Sequence, residues 1–242
     1  MLGYSCRVPR IRKSPRPDQV EVARHHYDLL SRAYPDAACE LDFGSPFELL
    51  LATVLSAQST DRRVNGVTPE LFARFPTPAD LAVADPAEVE RIIRPTGFYR
   101  AKTEAIVALA RDLVDRFDGV VPNTLEELVT LRGVGRKTAN VVLGDAFAIP
   151  GITTDTHFLR VSRRLGWTGA TKPDDVEAEV GALFPEEDWI HVSHLLIWLG
   201  RRCCHARRPA CGACPVGTAC PAYGEGPTDP EIARALVREP RG

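Results

Sequence analysis

Several absences narrow this chain early. No apolar run approaches the roughly 20 residues that a membrane-spanning helix needs, and no signal-like apolar segment follows the N-terminus. The reading is a soluble protein of the cytoplasm. Excess charge is lacking as well: 242 residues carry a formal net charge of −2, so a nucleic-acid partner must be argued from local patches. Alternating apolar and polar residues, the mark of half-buried strands, are scarce. A disulfide framework is missing too. There are seven cysteines, an odd count, and Cys203, Cys204, Cys211, Cys214 and Cys220 crowd into one short segment while Cys6 and Cys39 stand apart. That pattern suits a metal or cluster site in a reducing compartment better than paired bridges.

What is present reads as helix. Ser45-Pro46, Thr68-Pro69, Thr77-Pro78 and Asp85-Pro86 each set a capping side chain before a proline at the first helical position. That proline loses no hydrogen bond there, and the capping oxygen satisfies an orphan amide. Apolar residues then recur at helical spacing, as in Phe47, Leu50, Leu51, Val54 and Leu55, in Ile106, Leu109, Leu113 and Phe117, and in Trp189, Val192, Leu195, Leu196 and Leu199. About ten helices joined by short Gly/Pro turns predict an all-α fold with room for two modest domains. Residues 1–17 contain Arg7, Arg10, Arg12, Lys13 and Arg16, no acid, and Pro9, Pro15 and Pro17. They read as a disordered basic arm, either a phosphate contact or a solvated tail, because the prolines oppose an amphipathic targeting helix.

Two stretches carry chemistry. In the first, Thr124–Thr130 reads as a short helix, Gly133-Val134-Gly135 as a turn, and Arg136 onward as a second helix. Glycines suit a turn needing positive φ and close backbone approach to a ligand. Amides at the second helix's N-terminus would hold a phosphate oxygen, directly or through a bound monovalent cation. Lys137 lies in that helix's first turn, where the dipole disfavours a cation. Either it contacts phosphate as a point charge, or partial burial and the dipole supply its neutral amine as a nucleophile. Downstream, Asp155 caps the helix that starts at Thr156, and beside an electrophilic sugar it would also stabilise an oxocarbenium-like centre. His157 reads as a packing residue.

In the second stretch, Cys204, Cys211, Cys214 and Cys220 form C-x6-C-x2-C-x5-C. Four close thiolates can surround zinc or a [4Fe–4S] cluster; single cysteines on unequal loops around one C-x2-C pair favour the cube. Cys203 is a possible substitute for Cys204. Arg201, Arg202, His205, Arg207 and Arg208 surround the first loop, so a cluster that pins a basic loop against a phosphate backbone is a sufficient reading.

Together LSAQSTD (residues 55–61), LRGVGRKTANVVL (131–143), TTDTH (153–157) and the cysteine spacing resemble endonuclease III, the helix-hairpin-helix DNA glycosylase family of base excision repair. The resemblance covers about residues 20–222. It implies two helical domains with damaged or abasic double-stranded DNA between them, acting as a monomer in a bacterial, nucleoid-associated setting. A six-helix barrel would occupy 39–149, including a helix-hairpin-helix over about 124–144. A discontinuous cluster domain would combine 18–38 with 150–222, and 223–242 would be a flexible tail. It further implies Lys137 as nucleophile, Asp155 as catalytic carboxylate, Gln58 as gap filler, Asp61 near the pocket and Phe98 as the wedge into the opposite strand. Gly133, Val134 and Gly135 would grip phosphate. Cys204, not Cys203, would join Cys211, Cys214 and Cys220 as ligands of a [4Fe–4S] cluster.

The implied activity is release of oxidised pyrimidines with strand cleavage by β-elimination. A monofunctional mismatch glycosylase is the first alternative, opposed by Lys137 and by a chain that ends soon after Cys220. A non-catalytic DNA-binding module is the second, opposed by the Lys137–Asp155 pair. Two departures stand out. Arg132 takes the place of a usual proline, which would loosen the turn and add a phosphate contact, and Phe98 is bulkier than the family's aliphatic wedge.

Overall fold

The computed structural model describes residues 15–238. Among the described residues all regular structure is helical. The chain divides into two compact units, one running Cys39–Gly151 and the other formed by the described parts of Met1–Ala38 and Ile152–Pro240. Residues 1–14 of the basic arm, with Cys6, lie outside the described residues. Pro17, assigned to that arm, instead opens the first helix, α1 (Pro17–Ala33).

The unit Cys39–Gly151 contains α2 (Pro46–Leu55), α3 (Asp61–Asn65), α4 (Thr68–Arg74), α5 (Pro78–Ala82), α6 (Pro86–Ile93), α7 (Tyr99–Phe117), α8 (Leu125–Leu128) and α9 (Arg136–Phe147). Its starts follow local capping chemistry. Ser45 Oγ accepts from the Glu48 amide at 3.2 Å, Asp85 from Ala87 at 3.0 Å, and Thr77 forms a reciprocal capping box with Asp80. Thr68 is the exception: Val67 takes the N-cap position and Thr68 is a buried first helical residue. Tertiary burial has overridden the local signal there. Helix α2 is apolar nearly all round, as a fully enclosed helix must be: Leu49, Leu50, Leu51 and Leu55 have no exposed surface. It packs on α7 and α9, so the core of this unit directly supports the hairpin.

The second unit contains α1, α10 (Thr156–Arg164), α11 (Pro173–Gly181), α12 (Trp189–Arg202) and α13 (Pro230–Arg234). Trp167 and Phe158 are its largest enclosed side chains. Trp167 Nε1–H donates to His26 Nδ1 at 3.1 Å, and His26 Nε2–H donates to the Ala219 carbonyl at 3.1 Å. Those partners assign the neutral tautomer, and burial correspondingly holds the His26 pKa below its ordinary value.

The flexible tail expected over 223–242 is not what the described part shows. Residues 223–238 strap the cysteine loop. The Gly212 amide donates to the Pro227 carbonyl at 2.9 Å, Arg238 N–H donates to the Arg202 carbonyl at 2.8 Å, and Ala233 is fully buried. Small residues permit this: a Cβ on Gly212 would fall on the Thr228 carbonyl, and one on Gly226 on the Pro209 carbonyl.

Candidate active site

Helix α8, capped by Thr124, leads through Leu131 into the hairpin turn. Gly133 sits at φ +80°, in the left-handed region. Val134 is buried and its amide returns to the Leu131 carbonyl at 3.2 Å, which closes the turn. Gly135 is the N-cap of α9 at an ordinary extended φ of −95°, with no side-chain cap, and a Cβ there would meet nothing within 4 Å. Only the first glycine therefore answers a positive φ; the second keeps the mouth of α9 open. Arg132 takes part in the turn through its main chain. Its main-chain N–H, which proline would lack, bonds the Asp112 carboxylate of α7 at 3.3 Å, while its side chain stays exposed. Lys137 is exposed on the first turn of α9, so the partial burial anticipated for it is absent.

The two glycines should therefore respond differently to alanine. Gly133→Ala places a Cβ at positive φ and should cost about 1–2 kcal/mol, visible as a lower melting temperature. Gly135→Ala should cost about 1 kcal/mol or less yet weaken binding to abasic duplex about tenfold, read by fluorescence anisotropy. Equal stability losses with equal affinities would remove the distinction.

Gln58 and Phe98 share a feature that motif spacing does not reveal. Gln58 lies at φ +55° in the turn after α2, and Phe98 at φ +48° as the N-cap of α7. Non-glycine residues in this region cost about 1–3 kcal/mol each and persist where surroundings over-determine them. Phe98 is 69% exposed, and Gln58 is exposed too. Asp61 is half-buried at the start of α3, one residue after the Thr60 N-cap.

Asp155 is the N-cap of α10 and accepts from the Phe158 amide at 2.7 Å. His157 packs against α12, where a Cβ on Gly200 would crowd its ring, and it pairs with Arg160 Nη2 at 3.1 Å. Burial lowers its pKa although nearby Asp155 opposes the shift.

Helix α10 then reaches the cysteine segment. Arg160 Nε donates to the Cys204 carbonyl at 3.0 Å and its Nη2 to the Gly200 carbonyl at 3.0 Å. Arg164 donates to Cys204 Sγ at 3.4 Å and to the His205 carbonyl at 2.6 Å, and pairs with Glu225 at 2.7 Å. Cys203, Cys204, Cys211, Cys214 and Cys220 line one pocket with Arg164 and Tyr223. Cys203 is enclosed, with its thiol toward the Ala210 carbonyl at 3.4 Å. Among the described residues no three His, Cys, Asp or Glu side chains converge as ligands of a single ion. Arg207 and Arg208 are exposed on the loop above, Arg208 at φ +50°. Sequence reasoning missed Arg160, Arg164 and Glu225; partners some 40 or more residues from the two arginines left no local signal.

A family model for HhH-GPD superfamily base excision DNA repair proteins matches residues 51–186. Endonuclease III of Synechocystis sp. is 50% identical over 194 residues, which cover 80% of this chain and 89% of that protein. The chain belongs to the endonuclease III family. A solved non-covalent endonuclease III–DNA complex matches with a TM-score of 0.81 at 42% identity, covering 84% of this chain and 96% of that one. A trapped endonuclease III–DNA covalent intermediate matches with a TM-score of 0.80, again at 42% identity and with the same coverage of both chains. The HhH-GPD match takes in Gln58, Phe98, the hairpin, Lys137 and Asp155, and it ends before Cys203. Among the described residues no helix is long and apolar enough to cross a membrane.

Proposed function

We propose that this protein is a bifunctional DNA glycosylase and abasic-site lyase acting on oxidised pyrimidines in double-stranded DNA, in a cytoplasmic, nucleoid-associated setting. A base in a duplex must leave the stack before its glycosidic bond can be reached. Phe98 and Gln58 fill the gap, Gly133 to Gly135 take the phosphate backbone with a monovalent cation at the turn, and Arg207 and Arg208 add phosphate contacts. Lys137 Nζ forms a bond to C1′ as the base departs. Asp155 stabilises the positive charge that develops on the sugar. Breaking of the C1′–O4′ bond, with a proton going to O4′, then opens the sugar ring and leaves an iminium that acidifies the C2′ proton; loss of that proton breaks the C3′–O bond, and the phosphate leaves as the 5′ end of the downstream strand. DNA seated on the hairpin would supply the water exclusion that exposed Lys137 lacks. The observation that carries the reading is Lys137 on the open, uncapped mouth of α9, in a chain 42% identical to an endonuclease III trapped covalently on DNA.

Cys204, Cys211, Cys214 and Cys220 would hold a [4Fe–4S] cluster, leaving Cys203 as a packed thiol. The donor set fits: these four thiols line one pocket together with Cys203, and the Arg164 guanidinium bonds Cys204 Sγ, opposing the burial that raises that thiol's pKa. When bound, the cluster supplies a structural tie that fixes the basic loop for phosphate contact. In this reading 18–38 with 150–222 form the cluster domain, and 39–149 the helical barrel.

The test is a panel of duplexes carrying different lesions, with base release and strand incision scored separately under borohydride. Oxidised pyrimidines should give both products and a trapped covalent complex, from protein that is brown as purified. Base release without incision would favour a monofunctional glycosylase, and binding without either product a non-catalytic module.

A further inference from the structure

Lys102 is a buried ammonium that the reaction does not use. It lies on the first turns of α7 with 6% of its surface exposed, and Nζ donates to the Thr96 carbonyl at 2.9 Å. Enclosing a cation costs free energy unless the cation does something there. Burial accordingly lowers the Lys102 pKa.

Its partner explains the placement. Arg94–Thr96 is a single 3₁₀ turn, and Gly97 follows it at φ +71°. The Thr96 carbonyl takes its hydrogen bond from the buried Lys102 ammonium. Thr96 is itself 1% exposed, and its hydroxyl donates to the Ile93 carbonyl at 2.8 Å. On the other flank, the Lys102 main-chain N–H donates to the Phe98 carbonyl at 3.0 Å. That main-chain bond is the first of the α7 ladder, so the Lys102 side chain is what adds a tie to the segment before Phe98, which is held left-handed and is 69% exposed. A strained backbone needs such over-determination to persist.

We propose that Lys102 is a positioning residue for the wedge: its ammonium on the Thr96 carbonyl locks the Gly97-Phe98 turn in the strained form that presents the Phe98 ring to the DNA stack. This rests on the reading of Phe98 as the wedge. The lock works by fixing in advance what DNA would otherwise have to order.

The test uses the full chain and a duplex with a stable abasic analogue opposite 2-aminopurine, whose fluorescence rises on unstacking. Binding is measured separately by anisotropy. Wild type should raise the fluorescence on binding. Lys102→Met and Phe98→Ala should each bind but lose most of the rise, with kcat/KM on damaged duplex falling about tenfold in each. The double variant should lose about tenfold, not a hundredfold, because both changes remove one device. Lys102→Arg, which keeps the cation, should recover the rise. A full rise with Lys102→Met, or additive losses in the double variant, would overturn the proposal. A full rise with Phe98→Ala would instead remove the wedge reading beneath it. Should Lys102→Met not fold, Lys102→Gln makes the same comparison, keeping a polar end without the charge.

Discussion

Lys137→Gln is expected to abolish borohydride trapping and lower incision on the order of 10⁴-fold or more, the scale seen when a covalent nucleophile is removed, with little change in DNA binding. Glutamine keeps a polar side chain of similar reach but offers no nucleophilic amine. Lys137 is exposed on the first turn of α9, so replacing it leaves no cavity and the melting temperature should hold. The competing role is a point contact to phosphate. It makes opposite demands: Lys137→Arg would then retain activity, and Lys137→Gln would weaken binding and reduce the salt slope of binding by about 1. As nucleophile, neither variant traps and neither changes the slope by that much. Incision by Lys137→Arg near the wild-type rate would end the covalent assignment.

What the sequence disclosed and what it hid follow the range of the forces involved. Ser45, Thr77, Asp85 and Asp155 were readable as caps because the amides they satisfy lie within three residues of each. Thr68 obeyed the same local pattern and failed, because Val67 takes the cap position and Thr68 is buried as the first helical residue. The hairpin glycines were flagged together, yet only Gly133 adopts positive φ; the open space around Gly135 is a property of the folded surroundings.

The left-handed backbone at Gln58 and Phe98 was hidden for a related reason. Nothing in a glutamine or a phenylalanine announces a conformation that both residues disfavour. The strap over 223–238 was missed because it has no periodic apolar pattern and depends on Gly212 and Gly226 permitting backbone contact. Long-range ties from Arg160 and Arg164 to the cysteine segment, and the pairing of Arg164 with Glu225, were likewise invisible. They give α10 two tasks: its N-terminus presents Asp155, and its C-terminal half holds the loop of Cys204.

Because Asp155 is a helix cap as well as a carboxylate, its two roles have to be separated by the choice of substitution. Asp155→Asn keeps a side-chain oxygen that can accept from the Phe158 amide, now 2.7 Å away, and asparagine caps helices about as well as aspartate, so stability should stay within about 0.5 kcal/mol. The negative charge is lost. If that charge stabilises the sugar cation, kcat should fall about 10²–10³-fold, the scale of removing one preorganised electrostatic group, with KM for damaged duplex little changed. Asp155→Ala removes the cap too, and should add about 1 kcal/mol of destabilisation to a similar loss of kcat. His157 gives an independent readout of the missing charge. Asp155 opposes the burial that lowers the His157 pKa, so Asp155→Asn should move that titration lower still, measurable by NMR. Full activity in Asp155→Asn alongside reduced stability in Asp155→Ala would leave Asp155 as a cap alone. Equal stability with a large difference in turnover between wild type and Asp155→Asn would tie the carboxylate to the chemistry, because the asparagine retains everything about the residue except its charge.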